Sequence, residues 1–368
     1  MIQWFSHSND DPTRKELTRR GFELGWISEQ TRPDMPDAKT IKAKWSDDKA
    51  IMLPGILTAE INQYVTEITH AHQLMEKTLN GDEIAAQLEV EPYASRLMPK
   101  FPLISSVFEA HDEQCIEKLF FDAEKNDEVI AEDLWCKASW LSFHDDDASM
   151  RFRFSFGMEG YEDVAADPAR QNLASELTDA IFPESAAITE HPSLNKLLEN
   201  MIGSKPAYTE RIIYFNAPNG GAQMHHDVER GHLGVVFAQM HGSTGWLALA
   251  KPKLMDEIQA FLALPKSEAA LIKVLPDIDA QHALRKLAKD RNKLSKHIDA
   301  FDHELSEALM DRCPEFIQHL FAQGYGYILK PGDVLLMPQR DIKNCVWHTV
   351  FCLDDEPGEA LSFALRAR

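Results

Sequence analysis

The stretch Asn219–Leu249, NGGAQMHHDVERGHLGVVFAQMHGSTGWLAL, decides how the rest of the chain is read. It opens on a Gly-rich turn, passes through His225-x-Asp227, and continues into two short apolar runs. On a β-strand, side chains at i and i+2 project from one face. His225 and Asp227 can therefore offer a nitrogen and an oxygen to a single metal ion. The run RIIYFNAP precedes the turn, and GYILKPGDVLLMP, VWHTVFCL and ALSFALR follow farther on. Short runs rich in Val, Ile, Leu and aromatics, punctuated by Gly, Pro, Asn and Asp, predict a β-sandwich or barrel. His348, at the end of a later strand, is the expected third donor. Two histidines and one carboxylate form a facial triad that leaves about three positions open on an octahedral iron.

His-x-Asp alone is a weak signal, and the chain contains it three times. His144-Asp145-Asp146 falls at an expected hairpin turn between 134–143 and 150–157, where a solvated acidic tip is the simpler reading. His297-Ile298-Asp299 falls in a helical stretch, where i and i+2 diverge by about 200°. Only at 225–227 does the local pattern suit ligation. A structural zinc site is the alternative for the triad, but zinc favours closed tetrahedral sites and no cysteine is spaced as a fourth ligand.

The chain has 368 residues, 44% hydrophobic and 26% charged, with a formal net charge of −21. That composition fits a globular protein with a sizeable core and argues against a nucleic-acid or anionic-membrane partner. No apolar run approaches the ~20 residues of a membrane span, and the start shows no signal-peptide pattern. Five scattered cysteines without a CxxC pair predict reduced thiols and a cytoplasmic location. The expected class is α+β. A mixed N-terminal region over 1–205 packs on a barrel domain over 206–368, which a helical insertion at 253–322 interrupts. The first fifty residues are polar and are expected to wrap a surface. Thr58 is the expected N-cap of a helix over 58–80 carrying Ile61, Val65, Ile68, His72, Met75 and Leu79 on one stripe. Helices are also expected over 167–181 and 192–202. Within the insertion, Leu284, Leu287, Leu294, Ile298, Phe301, Leu305 and Ala308 fall at heptad-like steps. They predict an amphipathic helix on its own domain or, alternatively, a homodimer seam.

The segments 219–249 and 327–353 resemble the two metal-binding halves of the JmjC-like (cupin-like) Fe(II)/2-oxoglutarate oxygenases. Beyond the triad, the resemblance includes Gln239, Gly242 and Trp246 in the pattern QxxGxxxW, then Gly332-Asp333, Pro338 and His348-x-Val350. The ending LSFALR is similar to the last barrel strand of the bacterial ribosomal-oxygenase branch. The resemblance implies a double-stranded β-helix (jelly roll) holding Fe(II) through His225, Asp227 and His348, with 2-oxoglutarate as cosubstrate. It implies hydroxylation of a substrate, with a protein or peptide side chain favoured over a small molecule. The acid balance would suit a basic protein target.

One position departs from the pattern. The family commonly places a Lys or Arg five residues after the glutamine to pair with the distal carboxylate of 2-oxoglutarate, and here that position is Thr244. Arg366 is the first substitute anchor, because Ser362, Ala364 and Arg366 share a strand face; Arg211, Arg151 and Arg153 rank below it. Tyr214 and Asn216 could face the cosubstrate. His226 reads as a surface or supporting residue, and His232 and His241 as solvent or packing residues. Trp246, Phe237, Trp347 and Cys345 read as core. Two competing functions remain: a cupin-like metalloenzyme that does not use 2-oxoglutarate, and a non-catalytic barrel serving as a dimeric interaction module.

Overall fold

The computed structural model describes residues 13–28, 33–141, 148–156, 167–229, 231–300 and 303–368. It contains a large antiparallel sheet with helices packed against it. The strands are β1 (Arg14–Arg19), β2 (Phe22–Ser28), β3 (Ile51–Leu53), β4 (Leu103–Val107), β5 (Cys115–Lys125), β6 (Glu128–Trp140) and β7 (Met150–Phe156). They continue as β8 (Pro206–Asn216), β9 (Gly234–His241), β10 (Thr244–Ala250), β11 (Gly326–Leu329), β12 (Val334–Pro338), β13 (Val346–Cys352) and β14 (Gly358–Ala367). Nine strands form one sheet in the order β3-β12-β9-β14-β8-β7-β6-β5-β4, and β11-β10-β13 form a second. The large sheet runs without a break from the N-terminal half into the C-terminal half, because β7 pairs with β8 and β3 with β12.

The two sheets share an apolar interior. Phe237, Leu335, Met337 and Ala360 from the large sheet meet Trp246, Ala248, Val346 and Val350 from the small one. Alternation along β7 buries Phe152 and Phe154 on one face and leaves Arg151 and Arg153 on the other, as strand periodicity requires. The acidic stretch 144–147, expected as a hairpin tip, lies outside the described residues.

Three local expectations change. The polar N-terminus folds into the β1–β2 hairpin, with Leu17, Leu24 and Ile27 buried. The helix expected over 58–80 breaks at Tyr64 into two, and Leu57 rather than Thr58 is its N-cap, without a side-chain bond. Because of that break the buried stripe becomes Ile68, Ala71, Leu74, Met75 and Thr78, and Val65 and Leu79 face outward.

The third change concerns the heptad-like stripe. Residues 278–312 form three helices, Ile278–Ala288, Arg291–Ile298 and Glu304–Arg312, not one. Asp277 and Asp290 cap the first two by accepting from backbone N–H groups, the ordinary start signal of a helix. The chain folds back on itself, so Leu284, Leu294 and Ile298 point into a core shared with Leu254, Ile258, Phe261 and Phe316 of the same chain. The described members of the stripe are therefore packed on their own domain, with Leu287 and Leu305 partly buried at its edge; Phe301 lies outside the described residues. Leu294→Ala should cost about 2–5 kcal/mol, read as a lower urea midpoint at an unchanged solution mass.

Candidate metal centre

The site begins at the turn before the metal loop. Gly221 has φ +127°, and a Cβ there would lie 2.1 Å from the Val350 carbonyl oxygen. Only glycine lets the loop press this closely on β13. The loop then pairs with β13 as a short antiparallel bridge. The His225 N–H donates to the His348 carbonyl at 2.9 Å, and the His348 N–H donates back at 2.8 Å. This bridge, rather than a strand through 225–227, brings the third histidine beside the first two donors.

The three side chains converge. Nε2 of His225 lies 3.5 Å from Asp227 Oδ1, and Nε2 of His348 lies 3.4 Å from Asp227 Oδ2. The two imidazoles are 4.2 Å apart between centroids. His225 Nδ1 sits 2.7 Å from the Gln223 carbonyl, which fixes the tautomer that leaves Nε2 free as a donor. Trp246 stacks on His348 at 5.4 Å and 23°.

The protonation states suit ligation. Burial pushes the Asp227 carboxyl up, but His348, His225 and His226 outweigh it and hold the group well below the usual carboxylate range. Burial, then repulsion from His225, drives His348 down to about 3. Burial also works against charge on His225, yet its contact with Asp227 wins and raises it. A cation would take the place of that shared proton. Ionised Asp227 and neutral His348 are the ligand forms a divalent metal needs.

A cavity of about 280 Å³ opens beside the triad. Trp246, Phe237, Met337 and Val350 form its apolar wall, and Tyr214 and Asn216 line it as well. Arg151 and Arg20 also line it. Arg151 stands opposite Tyr214 in the β7–β8 pairing and donates through Nε to Ser139 Oγ at 3.2 Å. Arg20 belongs to the tip of the β1–β2 hairpin, which docks on the turn before the metal loop through Arg20 N–H to the Asn219 carbonyl at 2.8 Å.

The other two positions expected at the cosubstrate lie elsewhere. Thr244 is 1% exposed and is not among the lining residues. Its hydroxyl donates to Gln239 Oε1 at 2.7 Å and accepts from the Trp246 indole N–H at 2.9 Å, so it holds Trp246 in place. Arg366 shares a strand face with Ser362 and Ala364, but the face outruns the cavity. Ser362 reaches the metal cavity, whereas Arg366 stands against Gly231 and lines a separate cleft of about 920 Å³. Arg211 is committed to Asp179 at 2.9 Å. His226 packs edge-on to Trp347 at 5.1 Å. His241 packs against His72 at 4.5 Å.

Sequence reasoning passed over Arg19, which is 3% exposed. Its guanidinium donates to the Ala222 carbonyl, Thr349 Oγ1 and both the carbonyl and Oδ1 of Asp311. The same Asp311 oxygen accepts from the Met224 N–H at 2.7 Å. One ion pair thus fastens the hairpin, the insertion, β13 and the residue before His225. Nothing near Arg19 in the sequence signals this, because each partner is distant along the chain. Arg19→Leu should cost about 3–5 kcal/mol by stranding the Asp311 carboxyl in the interior, read by urea unfolding.

No family model matches the chain, and no curated protein matches it. Among solved structures, it is similar to the non-heme α-ketoglutarate-dependent epimerase SnoN from nogalamycin biosynthesis, at 14% identity and a TM-score of 0.37 over 90% of this chain and 83% of that one. It is similar to an oxidoreductase of the 2OG-Fe(II) oxygenase family from Burkholderia pseudomallei, at 9% identity and 0.31 over 91% and 93%. It is also similar to the Escherichia coli ribosomal oxygenase YcfD, at 13% identity and 0.24 over 76% and 44%. Two are named as 2-oxoglutarate enzymes, the third as an oxygenase. At this level of similarity the case for a function rests on the chain's own side chains.

Proposed function

We propose that the chain is an Fe(II)- and 2-oxoglutarate-dependent oxygenase whose C-terminal strands form a double-stranded β-helix. The observation that carries this reading is the convergence of His225, Asp227 and His348 at the edge of a cavity that still has room for further ligands. Three donors of two kinds on one side of an ion suit ferrous iron rather than a closed structural site. Bound ferrous iron, with 2-oxoglutarate and dioxygen, would supply the oxidising chemistry that places a hydroxyl group on a C–H bond. The protein's part is positioning and shielding. His225, Asp227 and His348 hold the metal. Arg151, supported by Ser139 and in contact with Tyr214, is the cation best placed to receive a carboxylate, in the role the sequence offered to Arg366. Trp246 and Phe237 keep water from the face of His348.

A protein or peptide substrate is favoured by the net charge of −21, which would draw a basic target. The five cysteines are all free and buried, which supports a reducing, cytoplasmic setting. Among the described residues, no helix is long and apolar enough to cross a membrane.

The reading is tested by succinate release from 2-oxoglutarate by iron-loaded protein under air, with calorimetric binding of 2-oxoglutarate in parallel. Neither turnover nor binding would leave a metalloenzyme of another kind. Arg151→Ala should weaken 2-oxoglutarate binding about 10–100-fold by removing charge-assisted bonds, with metal affinity unchanged. Arg151→Lys should recover part of the loss, since it restores the charge without the fork.

A further inference from the structure

Beyond the triad, a second group of donors stands on the same loop and the neighbouring strands. Ligand atoms of Glu210, Glu229 and His232 all lie within 4.8 Å of one another. His232 is 4% exposed, and among the described residues neither of its ring nitrogens has a hydrogen-bond partner. The Asp227 backbone carbonyl approaches the ring without reaching hydrogen-bond geometry. A buried imidazole left unsatisfied on both sides is rare, and an ion is one of its ordinary explanations.

The backbone aims the other donors at this histidine. Glu210 is the extra residue of a β-bulge in β8, where Arg211 pairs with Phe363 and Thr209 with Ala364, and its φ is +45°. Bulges of this kind re-aim a side chain. Glu229 closes the loop that carries His225 and Asp227, and its carboxyl stands beside that of Glu210. Arg153 reaches one Glu210 oxygen at 3.3 Å. A cation between the carboxyls would relieve their repulsion and give the imidazole a partner.

We propose that Glu210, Glu229 and His232 form a second divalent-cation site, separate in its ligands from the triad. One imidazole and two carboxylates suit Zn²⁺ or Mn²⁺. The site fronts a cavity of about 210 Å³ that His225 and Asp227 also line. An ion there ties the end of the metal loop to β8 and to the entry of β9, so it acts as a staple for the loop rather than as a reaction centre.

The test removes the first site and counts what is left. The full chain carrying His225→Ala and His348→Ala is loaded with Zn²⁺, desalted and assayed by elemental analysis, with circular dichroism confirming the fold. About one ion per chain is expected, falling to none when Glu210→Gln and His232→Asn are added. A second measurement leaves the triad intact: the otherwise unaltered chain should hold two Zn²⁺ and the Glu210→Gln/His232→Asn variant one. Its melting temperature should also gain less from added Zn²⁺. No ion in the triad-deficient chain, an ion that survives loss of Glu210 and His232, or one Zn²⁺ in both chains of the second comparison overturns the proposal.

Discussion

Asp227→Ala should cost the triad its affinity for a divalent metal. Asp227 is the only anionic donor of the triad and touches both imidazoles. Its removal, in the Glu210→Gln/His232→Asn background that leaves the triad as the site read, should lower affinity for Co²⁺, used as a visible-absorbing substitute for Fe²⁺, by at least about 100-fold, beyond the 10–100-fold typical of residues that merely support a ligand. Succinate release should fall to background with it. The fold should survive, because the carboxyl is about one-third exposed and the loop is pinned independently by the His225–His348 backbone bridge. The parent's affinity should also depend on pH. His225 is held above its ordinary 6.5, and metal must displace its proton. Binding therefore weakens as pH falls through neutrality and strengthens above it. Full Co²⁺ affinity after Asp227→Ala in that background would show that the triad is not a metal site.

Glu359→Gln makes the protein more stable at neutral pH. Glu184, on the turn after the helix Pro168–Ile181, and Glu359, on β14, are both fully buried, and their carboxyls stand close enough to repel. His72 Nε2 is 3.5 Å from Glu359 Oε2. Burial, and the proximity of His241, hold His72 down at about 4, so it brings no charge to the pair at pH 7. Burial pushes Glu184 up to about 7, and burial together with Glu184 carries Glu359 well above its ordinary range. Both folded-state values are raised, so the native state prefers the protonated pair. The associated stability is fully present below the unfolded value of 4.5 and is lost as pH rises through neutrality. An amide at 359 removes one of the two charges and can donate to Glu184. Melting temperatures between pH 5 and 8 should fall steeply for the parent and less steeply for the variant. Equal slopes would mean that the pair does not share a proton.

Much of the site can be read along the chain, and the reasons are local. His225 and Asp227 are two residues apart, and His348 follows a Pro-Gly-Asp turn and an apolar strand. The Phe152/Phe154 alternation announces a half-buried strand because side-chain direction on a strand repeats every two residues. The same rule misdirects at Arg366. It places Ser362, Ala364 and Arg366 on one face, but it carries no information about where the cavity ends. The insertion shows the complementary error. Hydrophobic spacing ran on through Asp290 as though the helix did, although an aspartate at that point was available as a cap signal.

The sequence by itself determined the donor chemistry, the β-rich character of 206–252 and 326–368, the helical character of the insertion, and the missing cation at position 244. Tertiary structure alone decided that Arg151 faces the cavity, that Arg19 locks the metal loop, that two glutamates share the interior, and that the heptad-like stripe is inward. The difference is physical. Periodicity and turn chemistry act over a few residues and leave their mark in adjacent letters. Cross-strand register and the packing of distant segments depend on which strands pair, and that choice is made by the burial of the whole chain.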